Sequence, residues 1–147
     1  MIHFSPSQLQ EIRAHAERAY PFECCGLLVG TRGGGDSVTV TRVVSSDNVR
    51  IDADGSGGRD RFEIDPQVRF DVMHALRGTD EDIVGHYHSH PDHPAEPSVH
   101  DIAMAFEPDM VWLIVSVVQG QSRDARAWKL NRDSDAVNDV TLIVEQG

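Results

Sequence analysis

Apolar residues recur along this chain at two spacings, and each predicts a different element. Leu9, Ile12, Ala16 and Ala19 follow a helical period. They come after Ser5-Pro6-Ser7-Gln8, where a serine cap, a proline at the first helical position and a glutamine three residues past the cap are the marks of a helix start. The pattern predicts an amphipathic helix over 6–19, with a short strand at 2–4 before it and Pro21 ending it. The compact apolar run 24–31 reads as a buried strand. Gly33-Gly34-Gly35 then makes a turn, and 37–44 alternates as the partner strand of a hairpin. A long polar loop follows over 45–61, then a brief strand at 62–64. Asp65-Pro66 starts a second helix over 66–77, which Gly78 closes.

Further on, the pattern predicts a strand at 82–88, a proline-stiffened loop at 89–97 and a short helix at 98–106. The near-continuous apolar run 110–118 reads as a central strand covered on both faces. Residues 124–130 alternate as its partner, and 140–144 supply a last strand. Helices mixed among strands predict one mixed α/β (α+β) domain over 1–147, with no repeat and no linker.

Composition narrows the partners. The formal net charge is −11, and Lys129 is the sole lysine. Such a surface repels phosphate backbones, which argues against nucleic acid and suits a basic protein partner or simple solubility. Cys24 and Cys25 are adjacent and have no other thiol to pair with, so no disulfide framework is implied and a reducing compartment is favoured. No basic segment leads into an apolar run at the N-terminus, and 110–118 is too short to span a bilayer. A soluble, cytoplasmic protein is expected.

The chemistry concentrates in Gly85-His86-Tyr87-His88-Ser89-His90-Pro91, where a predicted strand meets the proline loop. Alternate strand residues share a face, so His88 and His90 project together. His86 joins them if the strand is straight through 90. Ser98 reads as a helix N-cap with Asp101 one turn in, and the loop can swing Asp101 back to the histidines. Two imidazoles and a carboxylate leave one tetrahedral position open, the layout of a catalytic zinc. Ser98-x-x-Asp101 is equally a capping box, so ligand and cap stand side by side as readings of Asp101. His3, His15 and His74 read as ordinary surface or core histidines. A two-metal alternative reads His88-x-His90-x-Asp92-His93 as a metallo-β-lactamase-type pattern, but the chain has no histidine after His100 to complete a second metal.

With Glu23 opening the block Glu23-Cys24-Cys25-Gly26-Leu27-Leu28-Val29-Gly30, the chain closely resembles the JAMM (MPN+) zinc metalloprotease family. That family's pattern is a glutamate, a long gap, H-S/T-H, seven residues and S-x-x-D. His88-Ser89-His90, Pro91 to Pro97 and Ser98-Val99-His100-Asp101 match it without a substitution. The resemblance implies an MPN (cytidine deaminase-like) fold with a central mixed sheet flanked by helices. It further implies one zinc per chain on His88, His90 and Asp101, with Glu23 as general base and Ser98 at the oxyanion or the water. The implied activity is hydrolysis of a peptide or isopeptide bond at the C-terminal tail of a ubiquitin-like or sulfur-carrier protein. Tyr87 and the loops 46–60 and 91–97 are candidate tail contacts. A non-catalytic binding module of the same fold is the alternative, although no matching position is lost here. The cysteine pair reads as packing, since no neighbour that would activate a thiolate is evident.

Overall fold

The computed structural model describes residues 1–51, 57–103, 109–130 and 136–145; the side chains of residues 100 and 103 lie outside this description. In chain order the elements are β1 (Ile2–Phe4), α1 (Pro6–Ala19), β2 (Cys25–Arg32), β3 (Val38–Ser46), α2 (Pro66–Ala75), β4 (Asp82–Pro91), α3 (Val99–Ala103), β5 (Val111–Val118), β6 (Gln121–Leu130), β7 (Val137–Val140) and β8 (Leu142–Val144). The strands form one eight-stranded sheet in the order β7-β6-β5-β4-β2-β3-β1-β8. β4–β5 and the two β1 pairings are parallel, and the other pairings are antiparallel. The mixed sheet flanked by helices is thus as expected.

Two departures have clear causes. The predicted single strand 140–144 is two strands that pair with opposite edges of the sheet, β7 on β6 and β8 on β1. Thr141 alone joins them, so the sheet curls until its edges nearly meet, and the Thr141 carbonyl accepts the Ile2 N–H. The second departure is β4, which runs through Pro91 rather than stopping at 88. Pairing with β2 reaches only His88, so beyond it one side of β4 has no strand partner and a proline is tolerated there. On the other side β5 pairs in register out to Pro91↔Val117.

Smaller differences follow the same logic. Residues 62–64 make only an isolated bridge, Asn48↔Ile64, and β6 begins at Gln121. The predicted 98–106 helix covers Val99–Ala103; its residues 104–106 lie outside the described part, as do 131–135.

α1 starts as its sequence requires, with Ser5 and Gln8 forming a reciprocal capping box ahead of Pro6. Its buried stripe of Leu9, Ile12 and Ala16 packs with Ile2, Phe4, Leu28, Val84, Tyr87, Leu113 and Val115 into the larger core. α2, capped by Asp65, covers the other face through Val72 and Leu76 against Leu27, Val29 and Ile83. A register shift at Leu28/Val29 leaves Val84 as an extra residue of β4. The bulge resets the alternation, so Ile83 and His86 lie on the α2 side while Val84 and Tyr87 face α1. Gly26 is required beneath Tyr87, where a Cβ would come within 2.3 Å of the ring. Among the described residues no helix is long and apolar enough to cross a membrane.

Candidate metal centre

Buried polar side chains in this protein gather in one place. Glu23, His88, Ser89, His90 and Asp101 are all nearly inaccessible, and Asn48 and Ser46 border them. β4 supplies the histidines from one face near its C-terminal end, where β2 stops and leaves room. Glu23 comes from the turn before β2. Metal-ligating atoms of Glu23, His88 and His90 lie within 4.8 Å of one another. Asp101 closes the other side: its Oδ1 is 3.2 Å from His88 Nε2 and its Oδ2 is 3.0 Å from His90 Nε2.

Asp101 also caps its helix. The Ser98 N–H donates to Asp101 Oδ2 at 2.9 Å, and the Asp101 N–H donates to Ser98 Oγ at 3.1 Å. Ligand-facing group and cap are therefore not rival descriptions, because the capping box aims the carboxylate at both imidazoles. Ser98 Oγ accepts that N–H and keeps its own proton free to donate.

The histidines are held from behind. His90 Nδ1–H donates to the Pro94 carbonyl at 2.8 Å, which turns Nε2 towards Asp101. The 92–97 loop that carries this carbonyl is itself pinned. Ser116 donates to the His93 carbonyl, Trp128 Nε1 donates to the Ala95 carbonyl at 2.9 Å, and the Asp92 carboxylate takes the Tyr20 hydroxyl and the Gln119 N–H. Phe62 stacks on His88 with centroids 4.3 Å apart. Ser89, between the two histidines, points to the opposite side and accepts the Cys24 N–H at 2.8 Å.

The electrostatics suit a site that would hold a cation. His88 Nε2 and Glu23 Oε1 are buried without a hydrogen bond, and burying polar atoms unpaired costs free energy. Burial, and then the charges of Asp101 and Asp60, push the Glu23 carboxyl up to about 9. Burial lowers the His88 pKa, an effect that Asp101 partly offsets. Burial also works against the Asp101 carboxylate, but the facing His88 and His90 outweigh it and hold the group well below its usual range. Asp101 thus offers Oδ1 to His88 at 3.2 Å and Oδ2 to His90 at 3.0 Å, and two imidazoles with a carboxylate are a donor set that zinc would take.

Other expectations fare unevenly. His86 lies on the same face, stacked with Trp112 and close to Phe62, but outside the cluster. Burial, then His88, takes its pKa down to about 3. Tyr87, expected as a tail contact, is 1% exposed on the α1 side, with its hydroxyl 2.8 Å from His15 Nδ1. Strand alternation put it there: a residue between two site-facing neighbours must face away. The two-metal pattern does not assemble among the described residues. Asp92 is engaged by Tyr20 and Gln119, His93 is exposed, and the single sheet is not a two-sheet sandwich. Cys24 and Cys25 are free and buried, and burial pushes their thiols up to about 11 and about 12, which leaves them inert. His3 pairs with Glu145 and His74 stacks on Phe70, as ordinary surface groups do. Sequence patterns did not single out Asn48, Ser89, Phe62 or Trp128, whose roles depend on contacts between distant segments.

A curled mixed sheet that brings two histidines and two carboxylates to one buried point is the arrangement of the JAB/MPN class. The family of prokaryotic homologs of the JAB domain matches residues 5–131, and the chain belongs to it. It is 34% identical over 110 residues to a desampylase of Haloferax volcanii, covering 75% of this chain and 73% of that protein. It is 32% identical over 133 residues to the CysO-cysteine peptidase of Mycobacterium tuberculosis, covering 90% of this chain and 84% of the relative. A solution structure of a protein from Desulfitobacterium hafniense superposes with a TM-score of 0.83 at 31% identity, covering 100% of this chain and 94% of that one.

Proposed function

We propose that this protein is a zinc-dependent peptidase or isopeptidase that hydrolyses an amide bond at the C-terminal tail of a ubiquitin-like or sulfur-carrier protein. His88, His90 and Asp101 hold one zinc. The observation that carries this reading is the unpaired, buried His88 Nε2 lying 3.2 Å from Asp101 Oδ1, with His90 Nε2 at 3.0 Å from the other oxygen. Glu23 is the other carboxylate within reach; it enters from the segment before β2 and keeps Oε1 free of hydrogen bonds, which suits a group that takes and returns a proton.

Zinc held there would supply a Lewis acid that brings a water's pKa to about 7 and polarises the scissile carbonyl. Glu23 takes the proton of the attacking water on its Oε1 side and returns it to the leaving amine. Ser98 donates its free hydroxyl proton to the oxygen on which charge develops. Pro94, through its carbonyl, keeps His90 in the tautomer whose Nε2 can bind metal. The family's activity and the two named relatives support a protein-tail substrate. Two unpaired, buried thiols suit the reducing cytoplasm, where we place the protein.

The test is cleavage of ubiquitin-fold carrier domains bearing an amide-linked C-terminal extension. Zinc-loaded protein should release the extension and a chelator should stop it. Glu23→Gln should lose at least about 100-fold in kcat while keeping its zinc. Stoichiometric zinc with no release from any carrier would replace this reading with the binding-module one.

A further inference from the structure

The polar stretch between β3 and α2 has no part in the chemistry above, yet it reaches the base. Asn48 sits in it at 9% exposure and uses every hydrogen-bonding position of its amide. Nδ2 donates to the Glu23 carbonyl at 3.1 Å and to the Arg61 carbonyl at 3.0 Å. Oδ1 accepts the Arg50 N–H at 3.0 Å and the Glu63 N–H at 3.1 Å. Two carbonyls and two N–H groups require a side chain with two donors and two lone pairs, which a primary amide has and a carboxylate or a hydroxyl lacks.

The same stretch takes a second hold on Glu23. The Glu23 N–H donates to the Gly58 carbonyl at 2.6 Å. Gly58 has φ +72, and a Cβ there would come 2.4 Å from Ile51 Cγ1 and 3.3 Å from Asn48 Nδ2. On the far side the Cys24 N–H is held by Ser89 Oγ. The peptide groups on both sides of Glu23 are thus fixed, while its carboxyl keeps Oε1 unpaired. That division suits a group whose backbone must not move and whose carboxyl must stay free to react.

We propose that Asn48 is a positioning residue for Glu23. Its amide ties the Glu23 carbonyl to Arg50, Arg61 and Glu63 and so sets where the general base stands relative to the histidines. This rests on Glu23 being the base. A displacement of about 1 Å at a reacting group costs on the order of 100-fold in rate. Asn48 hydrogen-bonds neither His88, His90 nor Asp101; Phe62, between its partners Arg61 and Glu63, stacks on His88, so zinc affinity is measured beside rate.

The experiment uses full-length, zinc-loaded protein with Asn48→Asp, Asn48→Ala and Gly58→Ala, assayed on a ubiquitin-fold carrier with an amide-linked C-terminal cysteine. Wild-type cleavage, with Glu23→Gln inactive, first establishes the base; its failure would sink the functional reading and this proposal with it, whereas the outcomes below overturn this proposal alone. Each of the three variants is then expected to bind one zinc with affinity within about threefold of wild type. Each is expected to keep KM within about twofold while kcat falls about 10–100-fold. Unchanged kcat in zinc-loaded Asn48→Asp overturns the proposal. So does a rise in KM at constant kcat, which would make the segment a tail-binding element, and so does loss of zinc in proportion to loss of rate. If Asn48→Ala fails to fold, the Gly58→Ala and Asn48→Asp results decide by the same criteria.

Discussion

Tyr87 and His88 are neighbours on β4, yet their surroundings have opposite logic. Tyr87 faces α1, its ring lies over Gly26, its hydroxyl meets His15 at 2.8 Å, and apolar side chains fill the rest. Among the described residues, no buried side-chain nitrogen or oxygen on that side lacks a hydrogen-bond partner. His88 faces the other way, fully buried, with neither ring nitrogen hydrogen-bonded and a carboxylate 3.2 Å off. One face of the strand is built for stability; the other leaves buried donors unpaired so that something can bind there. The cost of the second face falls on the metal-free fold, and the first face supports it.

The contrast is sharpest if the site face is made apolar. His88→Leu should abolish zinc binding and cleavage, at least about 100-fold in kcat/KM. Combined with Asp101→Asn, so that no buried carboxylate is left without its imidazole partner, the same change should raise the metal-free protein's unfolding free energy by about 1–3 kcal/mol, since it removes unpaired buried nitrogens. Chemical denaturation in chelator measures it, and a loss of stability would mean that the two faces do not differ as described. A smaller effect of opposite sign is expected next door. Tyr87→Phe should cost about 1 kcal/mol, the worth of one hydrogen bond, and leave zinc affinity unchanged.

The smallest effect is in pH. Burial, then Arg18, lowers the His15 pKa below 6.5 in the folded protein. An unfolded chain therefore takes up a proton there that the folded one refuses. The stability linked to His15 is complete above about pH 6.5 and is lost as pH falls towards the folded value. His15→Gln should flatten the metal-free stability curve between about pH 7 and 5. An unchanged slope would show that His15 is not held in its neutral form.

What could be read from residues alone was what is local. His88, His90, Ser98 and Asp101 fall within one short run, where strand period, prolines and a capping signal fix their geometry together. Glu23 came only through resemblance to a family, because an isolated glutamate has no pattern around it. The hold on it by Asn48, Gly58 and Ser89 joins three segments far apart in sequence, and no spacing encodes that. The bulge at Val84 and the splitting of 140–144 at Thr141 were hidden for a similar reason. Both are set by which edge or register a strand finds, not by its own alternation. Tyr87 shows the reverse error: proximity in sequence to the site suggested a contact that strand alternation forbids.

We propose that one zinc sits on His88, His90 and Asp101 and that Glu23, whose ligating oxygen lies within 4.8 Å of the histidine nitrogens, is not a ligand. Calorimetric titration of zinc into metal-free wild type, Glu23→Gln and Asp101→Asn tests it most directly. The account predicts one zinc per chain for wild type, affinity within about threefold for Glu23→Gln, and a loss of at least about 10–100-fold for Asp101→Asn. Loss of zinc in Glu23→Gln with retention in Asp101→Asn would contradict it.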